Sequence, residues 1–208
     1  GVWQYYPPNY NREMSFTYLR QVTNKDTGGI YLNAPIPFHL DPANNPIHIK
    51  RSGSVNGGYS MLENVGISGL TIIFQDNVSP SSGRPEGAAI AMEGVMNAWI
   101  RDVQVYNFPR FGFYFEYDAN ITVMDCAVKK SQDYGGDGYG YGYHIHASQN
   151  MLVKNCYAED MRHAYIFQKS LSNYCVITNC DAIDVRQGED THHSFCHAIL
   201  RDDYRMSH

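Results

Sequence analysis

The sequence predicts an all-β protein, a right-handed parallel β-helix built as a solenoid of coils about 23 residues long with loops inserted between strands. Two internal repeats carry the prediction. An Asn followed by apolar residues at +3, +6 and +8 recurs five times, and from the second copy on a pair of alternating apolar residues precedes it. A third observation agrees: no stretch sustains a 3.6-residue period with a cap, so helices should be few.

Residues 1–63 do not repeat cleanly. Pro7, Pro8, Pro35, Pro37, Pro42 and Pro46 cut them into short pieces such as Ser15–Val22 and Ile47–Lys50, which predicts an entry segment or irregular first coils. Residues 64–208 hold the coils. Asn64 is followed by Ile67, Leu70 and Ile72; Asn97 by Ile100, Val103 and Val105; Asn120 by Val123, Cys126 and Val128; Asn150 by Val153, Cys156 and Ala158. The fifth copy, Asn173 with Ile177, Cys180 and Ala182, has one extra residue after the Asn. The intervals are 33, 23, 30 and 23 residues, so insertions fall between strands. Leucine-rich repeats would need a Leu lattice that is absent. A parallel β-helix stacks equivalent residues about 4.8 Å apart, and its turns suit a row of Asn whose amides bond from coil to coil. All five Asn are expected in that row. Cys126, Cys156 and Cys180 are expected as buried free thiols.

The preceding strands carry Ile90 and Met92, Phe113 and Phe115, Tyr143 and Ile145, and Tyr165 and Phe167. If these face inward, their neighbours face out in two columns, Tyr114–His144–Ile166 and Glu116–His146–Gln168.

Composition narrows the function classes. With 43% hydrophobic and 18% charged residues the chain is a folded one. A net charge of −5 without a Lys/Arg run argues against nucleic acid as partner, and no apolar run is long enough to span a membrane. Five cysteines without a C-x-x-C pair disfavour a disulfide scaffold or a zinc ribbon. The start at Gly1 predicts a removed N-terminal segment. The lack of a cap after Asp202-Asp203 predicts that more protein follows.

Three stretches within residues 29–203 resemble the pectin-lyase-like superfamily, in a secreted bacterial or phage-associated branch. They are Gly29-Ile-Tyr-Leu32 with Asp41-Pro-Ala-Asn-Asn-Pro46 and Glu63–Ile72, then Asp133–Gly142, then Met161-Arg-His163 with Gln168 and the His-rich turn at 192–197. The resemblance implies the β-helix fold and an extracellular location. Lyases, hydrolases, epimerases and phage tailspikes share that fold, so it does not choose among activities.

The candidate site residues come from two places. The loop 131–143 combines glycines with Tyr134, Tyr139, Tyr141 and Tyr143; flat rings there can stack on sugars. Asp133 and Asp137 can bond hydroxyls or hold a cation such as Ca2+, though nothing else calls for a cofactor. The alternative is a loop whose tyrosines only cover the coil below. The outward columns supply the chemistry: Glu116 and His146 lie one coil apart as a base–acid pair, with His144 as a second base candidate. Arg162 would stabilise a substrate carboxylate, and His163 and Gln168 would line the groove. A merely solvated polar face is the competing reading. His193 and His197 are four apart, which faces them together on a helix but not automatically on a strand, and no Glu follows His192 as in H-E-x-x-H, so no metal site is assigned. Three functions remain: an extracellular enzyme that cleaves by β-elimination or epimerises an acidic polysaccharide, a non-catalytic carbohydrate-binding or adhesive β-helix such as a tailspike segment, and a structural solenoid.

Overall fold

The computed structural model describes residues 2–4, 17–36, 41, 43, 49–50, 61–76, 86–135, 138–169, 172–192 and 196–207. None of these is helical. Strand β1 (Val2–Gln4) pairs antiparallel with β2 (Thr17–Leu19) and β5 (Ile49–Lys50), while β3 (Val22–Asp26) and β4 (Gly29–Leu32) form a hairpin. The remaining strands pair in parallel. They are β6 (Leu62–Glu63), β7 (Gly66–Ile73), β8 (Ala88–Glu93), β9 (Val95–Phe108), β10 (Phe111–Glu116), β11 (Ala119–Met124), β12 (Ala127–Ser131), β13 (Tyr141–His146), β14 (Gln149–Lys154), β15 (Tyr157–Gln168), β16 (Asn173–His192) and β17 (His197–Met206).

The register resolves these strands into stacked coils with three faces. The first face runs β8, β10, β13, the second half of β15 and the end of β16, with Phe113 opposite Ile90 and Tyr143, and Tyr143 opposite Tyr165. The second runs from the start of β9 through β11 and β14 to the starts of β16 and β17. The third joins β7, the end of β9, β12, the start of β15 and the middle of β16. Each long strand therefore serves two faces or three, bending between them.

The bends explain the residue types at the corners. Left-handed backbone is costly for most L-residues and least so for Gly, Asn and Asp. Asn64, Asn97, Asn120 and Asn150 all take φ between 53° and 60°. Asn120 Nδ2 donates to Asn97 Oδ1 at 2.8 Å, and Asn150 Nδ2 to Asn120 Oδ1 at 3.0 Å. A second row, not anticipated from the sequence, holds Asp102, Asp125, Asn155, Asn179 and Asp203, again left-handed. In it Asn155 Nδ2 donates to Asp125 Oδ1 and Asn179 Nδ2 to Asn155 Oδ1.

The fifth copy departs from the expected row. Asn173 pairs with Gln149, so Tyr174, with φ 54°, occupies the corner below Asn150, and Asn173 is buried. The irregularity lies before the Asn: three residues lie between Gln168 and Ser172, where one lies between His146 and Ser148. Both serines bind the turn that precedes them. Ser148 Oγ donates to His146 O and Ser172 Oγ to Gln168 O.

The core fills the prism with one layer per coil. Phe113, Tyr143 and Tyr165 stack with ring centroids 5.0 and 4.9 Å apart, the strand spacing itself. The two buried hydroxyls are satisfied by backbone at the opposite corner: Tyr143 Oη donates to Cys126 O at 3.1 Å and Tyr165 Oη to Cys156 O at 3.1 Å. Cys126, Cys156 and Cys180 are free thiols buried in successive coils. The N-terminal strands are tied to this body by Arg20. Its Nη1 bonds Gln149 Oε1 at 3.3 Å, Nη2 bonds Pro35 O at 3.0 Å, and its guanidinium lies over the ring of Tyr174 at 5.3 Å.

Candidate active face

The outer surface of the first face is an ordered array. Gly112 and Gly142 create it: a Cβ on Gly112 would meet Val128 at 2.4 Å, and one on Gly142 would meet Met161 Sδ at 2.6 Å. These positions point inward, as do Phe113 and Tyr143 beside them, so the strand kinks and the residues on either side both face out. Three outward columns result: Phe111–Tyr141–His163, Tyr114–His144–Ile166 and Glu116–His146–Gln168. The last two are the columns that alternation predicts. The first was hidden because the kink breaks the period of two. Phe111 and Tyr141 stack at 5.7 Å, and Tyr141 lies 5.0 Å from His144 and 5.1 Å from His163.

A polar contact of the face joins two coils. His146 Nδ1 donates to Glu116 Oε1 at 2.9 Å. Tyr114 Oη donates to Glu116 Oε2 at 2.7 Å, so both carboxylate oxygens are engaged. The bond from His146, then that from Tyr114, holds the Glu116 carboxyl below its ordinary value, and burial and its bond to Glu116 push the Tyr114 phenol up. With Nδ1 held by Glu116, Nε2 is the His146 nitrogen left for chemistry. The His146 and Glu116 side chains keep 16% and 23% of their surface exposed, so small parts of a ligand can reach them.

His144 is placed differently from the open base candidate expected. It is 5% exposed and its Nε2 donates to Gln168 Oε1 at 2.7 Å. Burial, then the neighbouring His146, lowers its pKa to about 3. His163 is 2% exposed, and burial, then Arg162, lowers its pKa to about 4. Both imidazoles are neutral supports beneath the face, each with an Nδ1 that no hydrogen bond satisfies.

The loop before β13 is shorter than expected, since Tyr141 and Tyr143 lie on the strand. Tyr139 is not an exposed ring: it is 8% exposed, its hydroxyl donates to Glu86 Oε1, and the Arg110 guanidinium lies 5.0 Å over it. Arg110 also donates to Gly138 O and pairs with Glu86 at 3.0 Å, which pins the loop to the neighbouring coils. Asp133 caps its own turn by accepting from Gly135 N at 2.6 Å. Tyr134 remains 37% exposed but lies at the next corner, donating to Asp160 O. Asp137 and His193 lie outside the described residues. Arg162 Nη1 donates to Tyr141 Oη at 3.2 Å. Arg110, Arg162 and Arg186 immediately precede the paired residues Phe111, His163 and Gln187, so cations edge the array on that side. Among the described residues no group of three or more His, Cys, Asp or Glu side chains is arranged to hold a metal ion.

Residues 45–199 match the family model for a right-handed beta helix region, well over half of the chain. The chain belongs to the right-handed β-helix family. No curated protein and no solved structure matches it. Right-handed β-helix proteins are common among polysaccharide-active and adhesive proteins, and this β-helix has no described helix long and apolar enough to cross a membrane.

Four contributors to the β-helix face were missed by sequence reasoning. Tyr114 was placed in its column but given no role, and Phe111 and Arg110 lie behind the kink. The fourth is the pair Asp190 and His192, whose Oδ2 and Nδ1 are 3.1 Å apart and which extend the same two columns one coil below Ile166 and Gln168. Counting 24 residues on from Ile166 and Gln168 would have found it.

Proposed function

We propose that this face acts on an acidic polysaccharide, abstracting the proton at C5 of a uronic acid, and that the protein is a secreted β-helix of the pectin-lyase-like kind. The contact between His146 and Glu116 carries the reading. A carboxylate that holds Nδ1–H fixes the tautomer with Nε2 as proton acceptor, the arrangement general-base catalysis needs. As Nε2 takes the C5 proton, the electron pair of the C5–H bond is delocalised onto the carboxylate at C6. In β-elimination the C4=C5 double bond forms while the C4–O4 bond breaks, and the proton on His146 passes to the departing oxygen or to solvent. In epimerisation a proton returns to C5 from the opposite side. Either way the substrate carboxylate gains enolate character; Arg162, six strand positions before the level of His146, is placed to hold the carboxylate of another sugar along the same chain. Glu116 balances the charge of the imidazolium, Tyr114 steadies Glu116, and Gln168 acts through His144.

A non-catalytic carbohydrate-binding β-helix is the second reading, favoured by the engagement of Arg162 with Tyr141 instead of with the His146 column. The two separate on one test. Polygalacturonate, alginate and chondroitin are each mixed with the protein and followed by ultraviolet absorbance for unsaturated ends. His146→Ala should lower turnover at least 100-fold with affinity unchanged within about threefold. Binding by the wild type with neither unsaturated ends nor C5 exchange would favour the binding module.

A further inference from the structure

We infer that Tyr117 is the platform on which a sugar ring rests while His146 acts on it; this rests on the carbohydrate reading above. Tyr117 follows Glu116 directly and forms the corner after β10. It is 54% exposed, and its ring centroid lies 6.5 Å from that of His146. The corner itself does not ask for an aromatic residue. The equivalent turns of the other coils carry Gly94, Ala147 and Lys169, and all four are left-handed, with Tyr117 at φ 57°. A bulky side chain is the poorest fit to that conformation, and glycine the best. The largest side chain of the row therefore stands in the coil that carries Glu116, beside His146 in the next. Left-handed backbone recurs at these corners, so what marks this one is the large exposed side chain beside the Glu116–His146 pair.

The ligand class follows from the surface. An exposed phenol ring offers a flat apolar face with a polar rim, which matches the C–H face of a pyranose with its ring of hydroxyls. The neighbours are polar on the other side: Tyr114, Glu116 and His146 lie within one coil of it. A ring resting on Tyr117 would present one edge to His146, whereas a fully polar corner would hold the sugar only by bonds that water also makes.

The test separates a ligand-holding ring from a packing one. Tyr117→Gly, Tyr117→Phe and wild type are compared in thermal melts and in calorimetric titration with oligomers of galacturonate, mannuronate and chondroitin. Tyr117→Gly should raise or hold the melting midpoint, because glycine relieves the corner, and should weaken binding about tenfold. Tyr117→Phe should stay within about threefold of wild type. A clear fall in midpoint for Tyr117→Gly would mean that the ring serves packing, and would overturn the proposal whatever the ligand. Binding by wild type and Tyr117→Gly alike would overturn it while leaving the carbohydrate reading intact. Binding of none of the oligomers by wild type would sink both.

Discussion

The buried ionisable residues of this protein pull its stability in opposite directions with pH. His144 and His163 are held near 3 and 4, below the ordinary 6.5, chiefly by burial. Between those limits the unfolded chain binds protons that the folded one refuses, so their contribution is complete above pH 6.5 and lost as pH falls. Glu116 adds to this, since its lowered carboxyl contributes above 4.5 and fades as pH falls further. Asp118 acts the other way. It is buried with Oδ2 unbonded, and burial raises it to about 8 although Val95 N donates to Oδ1 at 2.7 Å. The folded state then holds a proton that the unfolded chain releases, so stability is lost as pH rises from about 4 to about 8. Two histidines outweigh one aspartate below 6.5, and above it the aspartate acts without them. Thermal melts across pH should peak near 6.5, with each proton changing stability by at most about 1.4 kcal/mol per pH unit. Asp118→Asn should flatten the decline between 6.5 and 8; a decline of unchanged slope would remove Asp118 as its source. At this scale the sequence spoke unevenly. The identities of Glu116 and His146 and their facing columns were legible from alternation. The burial of His144, His163 and Tyr139 was not, because it depends on rings from other coils and on the Arg110–Glu86 clasp.

Corners and rungs are the elements that make the coils stack. Asn120 is bonded on both sides, to Asn97 and from Asn150, and holds a left-handed φ of 58°. Asn120→Ala loses the bonds and strains the corner, and should cost about 1–2 kcal/mol. Asn120→Gly loses the bonds but not the conformation, so its cost should be smaller. Urea unfolding of the two variants checks this, and an Ala variant as stable as the Gly one would show that the corner conformation carries no penalty. The rungs differ in one hydroxyl. Phe113 has none, while Tyr143 donates to Cys126 O and Tyr165 to Cys156 O. Tyr143→Phe should keep the stack and lose about 1 kcal/mol for the hydroxyl's bond, since Cys126 O still accepts from Tyr157 N at 2.9 Å, again read from urea unfolding; no change would mean that this bond adds nothing net to stability. The repeat of Asn and apolar residues was legible because each coil needs a residue tolerant of left-handed backbone at the same place. Asn173 misled because a two-residue insertion shifted the register, and Tyr174 fills the corner without resembling the residues above it. The second row escaped notice because it mixes Asp with Asn, so no single letter repeats.

The whole molecule matters to function because it brings residues 30 apart in sequence, Glu116 and His146, to 2.9 Å. Parallel coils convert a repeat in sequence into a column in space, and a column can carry a base, its anchor and its supports on three successive strands. That arithmetic is legible in the spacing of the repeats alone. The kink at Gly112 and Gly142, and with it the Phe111–Tyr141–His163 column, was not, since two consecutive inward positions break the alternation on which the arithmetic rests. The most direct test of the account is the fate of the uronate C5 proton, followed by nuclear magnetic resonance in deuterated water with polygalacturonate, alginate and chondroitin. Elimination and epimerisation both remove that proton. The account predicts that wild-type protein removes or exchanges it in at least one of the three polymers, and that His146→Ala, still folded and still binding, does so at least 100-fold more slowly. Loss of the proton at the wild-type rate in His146→Ala would contradict it.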